Sequence, residues 1–248
     1  SVAVAEYIYG TEERFIKKMN ERASELGMEN TYYYNTNGLP TGDKNVEGNY
    51  TTAEDLALLT KEILKYPRVL KWTSTWIDYL REGEFVLNNT NKLVRHYKGA
   101  DGLKTGYTSE AKYCVTSTAK RDDLRFISVI MGAETSKGRF NEAAQLLSYG
   151  FNIYKSKIMA KKGQVIKEID VWNANNREVK IIASNKISIP VKKGAEDNIE
   201  KKIVVEKNIK APLKKGAVVG KIKVFKGNLM LTETDLIIDR EVKKASFF

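Results

Sequence analysis

The tripeptide Lys104-Thr105-Gly106 is where this 248-residue chain has residue types and spacing best suited to chemistry. A lysine sets a fixed positive charge beside a bound carboxylate. A threonine hydroxyl can donate a hydrogen bond to the same group. A glycine leaves room for a second backbone to lie against the strand as an added edge. Alone, such a tripeptide arises by chance in roughly one chain of this length in twenty, so its surroundings carry the weight. Asp101-Gly102-Leu103 leads into it and Tyr107-Thr108 follows. Residues 113–119 and 124–131 then flank the charged turn Lys120-Arg121-Asp122-Asp123, which predicts a hairpin of two sheet strands.

Other chemistries are narrowed by scarcity. The single histidine, His96, removes most metal and Ser-His-Asp arrangements and is expected to be structural. The single cysteine, Cys114, excludes an internal disulfide and a cysteine zinc site. Between Tyr113 and Val115 it reads as a buried, inert strand thiol. Serine chemistry must therefore use a base other than histidine. A serine and a lysine three residues apart can share a face at a helix start, where the lysine takes the serine proton. Ser109/Lys112 and Ser117/Lys120 have that spacing, but they fall in a turn and a predicted strand. Residues three apart in a strand point to opposite faces, so both pairs read as decoys.

The elements that must position Lys104 follow from periodicity. Residues 11–26 predict a helix, with Thr11 as cap, Glu12 and Glu13 in the first turn, Gly27 as the stop, and Phe15, Met19, Ala23 and Leu26 as a buried stripe. Residues 31–50 are aromatic and then turn-rich, and read as a long ordered loop. Thr51 and Glu54 form a capping-box pattern for a helix carrying Leu56, Leu59, Ile63 and Leu64, which Pro67 is expected to end. Residues 136–154 predict a helix with Ala143, Leu146, Leu147 and Phe151 on one side. Beyond residue 156 there is no helical period. Short strands over 165–171, 179–182, 187–191, 203–205, 218–224 and 229–231 alternate with turn residues, which argues a small all-β, sandwich-like unit.

Charge divides the chain at the same place. Residues 1–155 hold 21 Lys+Arg against 20 Asp+Glu, and residues 156–248 hold 21 against 11. Two units are expected, 1–156 and 157–248, with different surroundings. The basic unit reads either as a solvated lysine surface or as an attractor of polyanions such as anionic lipid, wall polymer or nucleic acid. No run of 18 apolar residues occurs, and the apolar opening Ser1-Val2-Ala3-Val4-Ala5 lacks the basic leader of a signal peptide, so it reads as a cut.

Several segments, in order, resemble the low-molecular-weight penicillin-binding proteins, the D-alanyl-D-alanine carboxypeptidases of the peptidase S11 type. Ser1-Val2-Ala3-Val4-Ala5-Glu6 resembles the helix that follows that family's Ser-x-Asn motif. Gly27-Met28-Glu29-Asn30-Thr31, Asn37-Gly38-Leu39-Pro40, Thr51-Thr52-Ala53-Glu54-Asp55 and Asn89-Thr90-Asn91 follow at similar spacing. Lys104-Thr105-Gly106 matches the cleft strand. Met131-Gly132 with Ser136-Lys137-Gly138-Arg139 matches a strand end and helix start with a substrate-facing arginine. Residues 211–220 resemble the family's C-terminal domain.

The resemblance implies an α/β (α+β) transpeptidase-type domain, incomplete at its N-terminus, followed by a small all-β domain. It implies a serine-type D-Ala-D-Ala carboxypeptidase that trims peptidoglycan stem peptides through an acyl-enzyme, is inhibited by β-lactams, and needs no metal or cofactor. By position, Lys104 would belong to the catalytic lysine–serine network. Thr105 and Arg139 would bind the terminal carboxylate, Gly106 would receive the substrate backbone, and the Tyr107 N–H would be one oxyanion donor. The family's Ser-x-x-Lys helix and Ser-x-Asn loop have no counterpart in these residues, so the chain alone is expected to be inactive. Further expectations are export to the outer face of the cytoplasmic membrane, contact of 157–248 with an anionic membrane or wall polymer, and no nucleic-acid partner. The chain stops at Ser246-Phe247-Phe248, about where relatives begin an amphipathic membrane helix. The rival reading is a non-catalytic, basic polyanion- or wall-binding protein.

Overall fold

The structure is a computed structural model that describes residues 1–40, 48–194 and 198–245. Part of the 31–50 segment and the last three residues lie outside those described. The chain forms two compact units, one of Ser1–Arg121 with Arg125–Phe151 and one of Asp122–Leu124 with Asn152–Phe248.

In the first unit, helices α1 (Val2–Tyr9), α2 (Glu12–Glu25), α3 (Ala53–Ile63) and α4 (Pro67–Thr73) precede the strands. Thr11 caps α2 by accepting from the Arg14 N–H, and Gly27 follows the helix with φ +75°, a conformation glycine adopts without steric cost. The α3 cap sits one residue later than the pattern suggested. Thr52, not Thr51, accepts from the Asp55 N–H. Adjacent threonines followed by adjacent acids allow either register. Asp55 decides it, because its carboxylate is buried and also accepts from the Asn30 N–H (2.9 Å) and the Thr31 hydroxyl (2.7 Å). Pro67 opens α4, because a proline at the first helical position loses no hydrogen bond. The loop after α2 is tied down by Glu12, whose carboxylate accepts from Thr36 N–H and Oγ, and by a bridge between Tyr32 and Tyr50. Those two bonds hold the Glu12 carboxyl below its ordinary pKa.

Strands β1 (Ile77–Leu80) and β2 (Phe85–Asn88) make an exposed hairpin, and the short helix α5 (Leu93–His96) follows. The three-stranded antiparallel sheet is β3 (Ala100–Thr108), β4 (Lys112–Arg121) and β5 (Leu124–Ala133), in that order. Helix α6 (Ser136–Ile153) buries Arg139, Phe140, Ala143, Leu147, Gly150 and Phe151. Leu146, expected on that face, is exposed. The stripe instead runs through Phe140, Ala143, Leu147 and Gly150, which puts Leu146 at its edge. The Phe126 ring lies about 3.0 Å from where a Cβ on Gly150 would sit, so glycine lets α6 close onto the sheet.

The second unit has no helix beyond the end of α6 among the described residues. Its strands are β6 (Tyr154–Ala160), β7 (Val165–Asp170), β8 (Glu178–Ala183), β9 (Ile187–Lys192), β10 (Ile199–Val205), β11 (Val218–Lys226) and β12 (Leu229–Ile238). They form a five-stranded sheet ordered β10-β11-β12-β8-β7 and a β6-β9 pair, all antiparallel. No breaker in the sequence marks β6, because α6 runs straight into it; the boundary expected after residue 156 falls inside this strand. Ile187, Ile189 and Val191 alternate inward from β9 and join Ile181, Ile222, Leu236 and Ile238 in one core. No helix among the described residues is long and apolar enough to cross a membrane.

Candidate active site

Strand β3 carries Lys104-Thr105-Gly106 at the edge of its sheet. It pairs with β4 on one side, Thr105 opposite Val115 and Gly106 opposite Cys114, and among the described residues no strand pairs with its other side. An open strand edge offers backbone donors and acceptors to an extended peptide.

The N-terminal end of β3 is held from three directions. Arg125 grips Asp101 with two hydrogen bonds of 2.7 Å, a bidentate pairing that fixes direction as well as distance. Thr118 donates to the same carboxylate, and Thr73 of α4 donates to the Asp101 carbonyl at 2.7 Å. The next residue, Gly102, has φ +149°, and a Cβ there would sit 2.4 Å from the Thr73 hydroxyl. Only glycine lets α4 approach this closely.

Lys104 is exposed, and its ammonium donates to the Thr105 carbonyl. Thr105 is buried, 8% exposed, and its hydroxyl meets that of Thr90 at 2.7 Å. Gly106 is exposed, and a Cβ on it would meet only the Cys114 Cβ, at 4.0 Å, so its outer side is clear. Tyr107 is exposed and packs its ring on Tyr113, centroids 4.4 Å apart.

Arg139 comes from the first turn of α6 and is only 7% exposed. Its Nη1 donates to the Gly106 carbonyl (2.9 Å) and the Cys114 carbonyl (3.2 Å), and its guanidinium lies over the rings of Tyr113 and Phe140. Burial draws its pKa below the ordinary value, against a smaller pull from Cys114 and Tyr113. No acidic side chain among the described residues forms an ion pair with it, and its Nε–H has no acceptor. A buried cation without an anion is costly. This one is anchored by neutral carbonyls, and its Nε–H is left over.

The structure thus brings Arg139 to the same strand as Lys104, Thr105, Gly106 and Tyr107, 32 residues earlier at the nearest point. Leu56, Leu59 and Ile63 of α3 face that strand and β4 across a hollow of about 360 Å³. Cys114 also lines this hollow and is half-buried, contrary to the inert core thiol expected of it, because it sits opposite Gly106 with no side chain to cover it. In neither serine–lysine pair does the lysine hydrogen-bond its serine, and Lys112 pairs instead with Glu134. Ser117 is fully buried and accepts from Asn91 Nδ2, while Lys120 in the same strand is exposed, and Ser109 lies in the turn between β3 and β4. His96 packs edge-on to Trp76. Among the described residues no cluster of three His, Cys, Asp or Glu side chains could hold a metal. Thr90 carried no expected role, and only the pair of asparagines around it marked it in the sequence.

Residues 1–135 match the family described as D-alanyl-D-alanine carboxypeptidase, and residues 154–244 match the penicillin-binding protein 5 C-terminal domain. The D-alanyl-D-alanine carboxypeptidase DacF of Bacillus subtilis is 41% identical over the whole chain, which spans 63% of that relative's length. Penicillin-binding protein 5 of Haemophilus influenzae superposes with a TM-score of 0.64 at 30% identity, over 98% of this chain and 70% of that one. Penicillin-binding protein D2 of Listeria monocytogenes, in its ampicillin-bound form, superposes with a TM-score of 0.51 at 39% identity, over 55% of each chain. This chain therefore belongs to the D-alanyl-D-alanine carboxypeptidase family, with a C-terminal domain of the penicillin-binding protein 5 type.

Proposed function

We propose that these residues form the carboxylate-binding side of a serine-type D-alanyl-D-alanine carboxypeptidase site that trims peptidoglycan stem peptides. The observation that carries this reading is Arg139, a buried guanidinium with a free Nε–H and no acidic partner among the described residues, fastened to the carbonyl of Gly106. In this reading the stem peptide lies along the open edge of β3 and over Gly106. Its terminal carboxylate is held by Thr105 and Arg139. The Tyr107 N–H is one of two donors to the oxyanion formed when a serine oxygen attacks the penultimate D-Ala carbonyl. Collapse of that intermediate expels the terminal D-Ala amine and leaves an acyl-enzyme, which water then hydrolyses. Lys104 supplies positive charge to the serine–lysine network. The serine belongs to a Ser-x-x-Lys segment outside residues 1–248. The intact enzyme is these residues joined to that segment. Penicillins acylate the same serine, a reading supported by the ampicillin-bound relative.

The second unit is read as a placement device on the outer face of the cytoplasmic membrane. The observation that favours this is its 21 Lys+Arg against 11 Asp+Glu over residues 156–248. Attraction of this kind to anionic lipid or wall polymer weakens with salt, since exposed charges more than about 8–10 Å apart are screened at physiological ionic strength. A non-catalytic, polyanion-binding protein is the alternative, and salt-dependent binding without any β-lactam labelling of the intact protein would favour it.

The test of the catalytic reading on the chain itself is intact mass after incubation with penicillin. Purified 1–248 is expected to gain no covalent adduct and to release no D-alanine. A stoichiometric adduct would move the nucleophile to Ser109 or Ser117 and overturn the assignment.

A further inference from the structure

The hydroxyls of Thr90 and Thr105 lie 2.7 Å apart, and either oxygen could be the donor in that bond. A hydroxyl has a single proton, so one of the two must donate and the other accept. If Thr105 donates to Thr90, its oxygen offers only lone pairs to an approaching carboxylate and repels it. If Thr90 donates, Thr105 accepts and its own proton is released for a ligand. A carboxylate at Thr105 is compatible only with the second arrangement.

Both residues are held in place by bonds other than their own. On one side of Thr90, Asn89 Nδ2 donates to the carbonyls of Thr73 and Thr75, both at 2.9 Å. On the other, Asn91 is fully buried. Its N–H donates to Asn89 Oδ1 (2.9 Å), its Nδ2 donates to Ser117 Oγ (3.2 Å), and its Oδ1 accepts from the Leu93 N–H (3.2 Å). Thr105 is fixed by its pairing with Val115 across β3 and β4. The backbone on both sides thus sets where the two hydroxyls meet, and their mutual bond sets only which way the Thr105 proton points.

We propose that Thr90 is a positioning residue. It donates to Thr105 and so aims the Thr105 hydroxyl proton at the carboxylate of a D-Ala-D-Ala peptide. This rests on the reading of Thr105 and Arg139 as carboxylate ligands. Thr90 acts through Thr105 and need not touch the peptide.

The test titrates the 248-residue chain with a peptide ending in D-Ala-D-Ala, followed by NMR at the Thr105 and Gly106 amides and the Arg139 Nε–H. Thr90→Val, which keeps the side-chain shape but removes the donor, is expected to weaken binding about three- to tenfold, the worth of one hydrogen bond. Thr90→Ser should bind within about twofold of wild type, because it keeps the donor. In a Thr105→Val background the Thr90→Val change should have no further effect, as a double-mutant cycle requires of a residue that works through its partner. Three-bond couplings to the Thr105 methyl should show the same rotamer in wild type, Thr90→Ser and Thr90→Val, because the bond sets the proton direction and not the rotamer. Retention of wild-type binding by Thr90→Val overturns the proposal, and so does a loss that persists in the Thr105→Val background. If the wild-type chain shows no shift at Thr105, Gly106 or Arg139, the carboxylate site itself is wrong. Unchanged amide spectra away from the site exclude misfolding as the cause, and Thr90→Ser provides the same control.

Discussion

Arg139→Met in the intact enzyme is expected to cut kcat/KM for peptides ending in D-Ala-D-Ala by about 10²–10³-fold, equivalent to roughly 3–4 kcal/mol of transition-state binding. The size follows from where the charge sits. Arg139 is 7% exposed, so a carboxylate reaching it interacts in a low-dielectric setting where each charged hydrogen bond counts for more than in water. Stability should move the other way, or hardly at all. The guanidinium has no ion pair to lose, and methionine can fill the space between Tyr113 and Phe140 without a desolvated charge. The measurement pairs steady-state kinetics with thermal unfolding of the same protein. Near wild-type kcat/KM would remove Arg139 from the site. A large drop in unfolding temperature alongside lost activity would make it a structural residue.

Leu236→Ala should produce the largest loss of stability, about 3–5 kcal/mol, because the cavity cannot be refilled. Leu236 is fully buried in β12, between β11 and β8. Its cross-strand partners are Gly220 and Ala183, which have no side-chain atoms to move into the space. Gly220 cannot be enlarged to compensate, since a Cβ there would sit 2.3 Å from the Val204 carbonyl oxygen. Leu229→Ala in the same strand is the control. That leucine is 66% exposed, and its loss should cost no more than about 0.5 kcal/mol. Urea unfolding followed by the fluorescence of Trp172, the tryptophan of this unit, separates the two. Equal midpoints for both variants would contradict the packing described.

The site was partly legible in the sequence because part of it is local. Lys104-Thr105-Gly106 is contiguous, and the hairpin expected just after it, residues 113–119 and 124–131, is β4 and β5. Arg139 could be placed only by resemblance, since nothing local ties a helix-start arginine to a strand carbonyl 33 positions earlier. Asn89-Thr90-Asn91 stands out only by resemblance, and the role of Thr90 is hidden for the same reason. Its partner is 15 residues away, and two surface-type threonines give no sign of meeting. Cys114 was misjudged because strand alternation gives the face a residue points to but not what covers it, and opposite Cys114 stands a glycine. In the second unit every strand except β6 is legible from turn chemistry, most of them shorter in the sequence than in the fold. Strand β12 runs to Ile238, because its polar residues Thr232, Glu233, Thr234 and Asp235 pair with Val224, Lys223, Ile222 and Lys221 and so continue the ladder through a stretch that reads as loop.

The central claim is that Thr105 and Arg139 recognise a free terminal carboxylate. The most direct measurement compares the intact enzyme on one peptide presented with a free D-Ala-D-Ala carboxylate and with that terminus amidated. Amidation is expected to lower kcat/KM by about 10²-fold or more, the worth of a desolvated charge pair, and Arg139→Met to erase most of the difference. Equal turnover of acid and amide by the wild-type enzyme, or a preference for the acid that survives Arg139→Met unchanged, would contradict that claim.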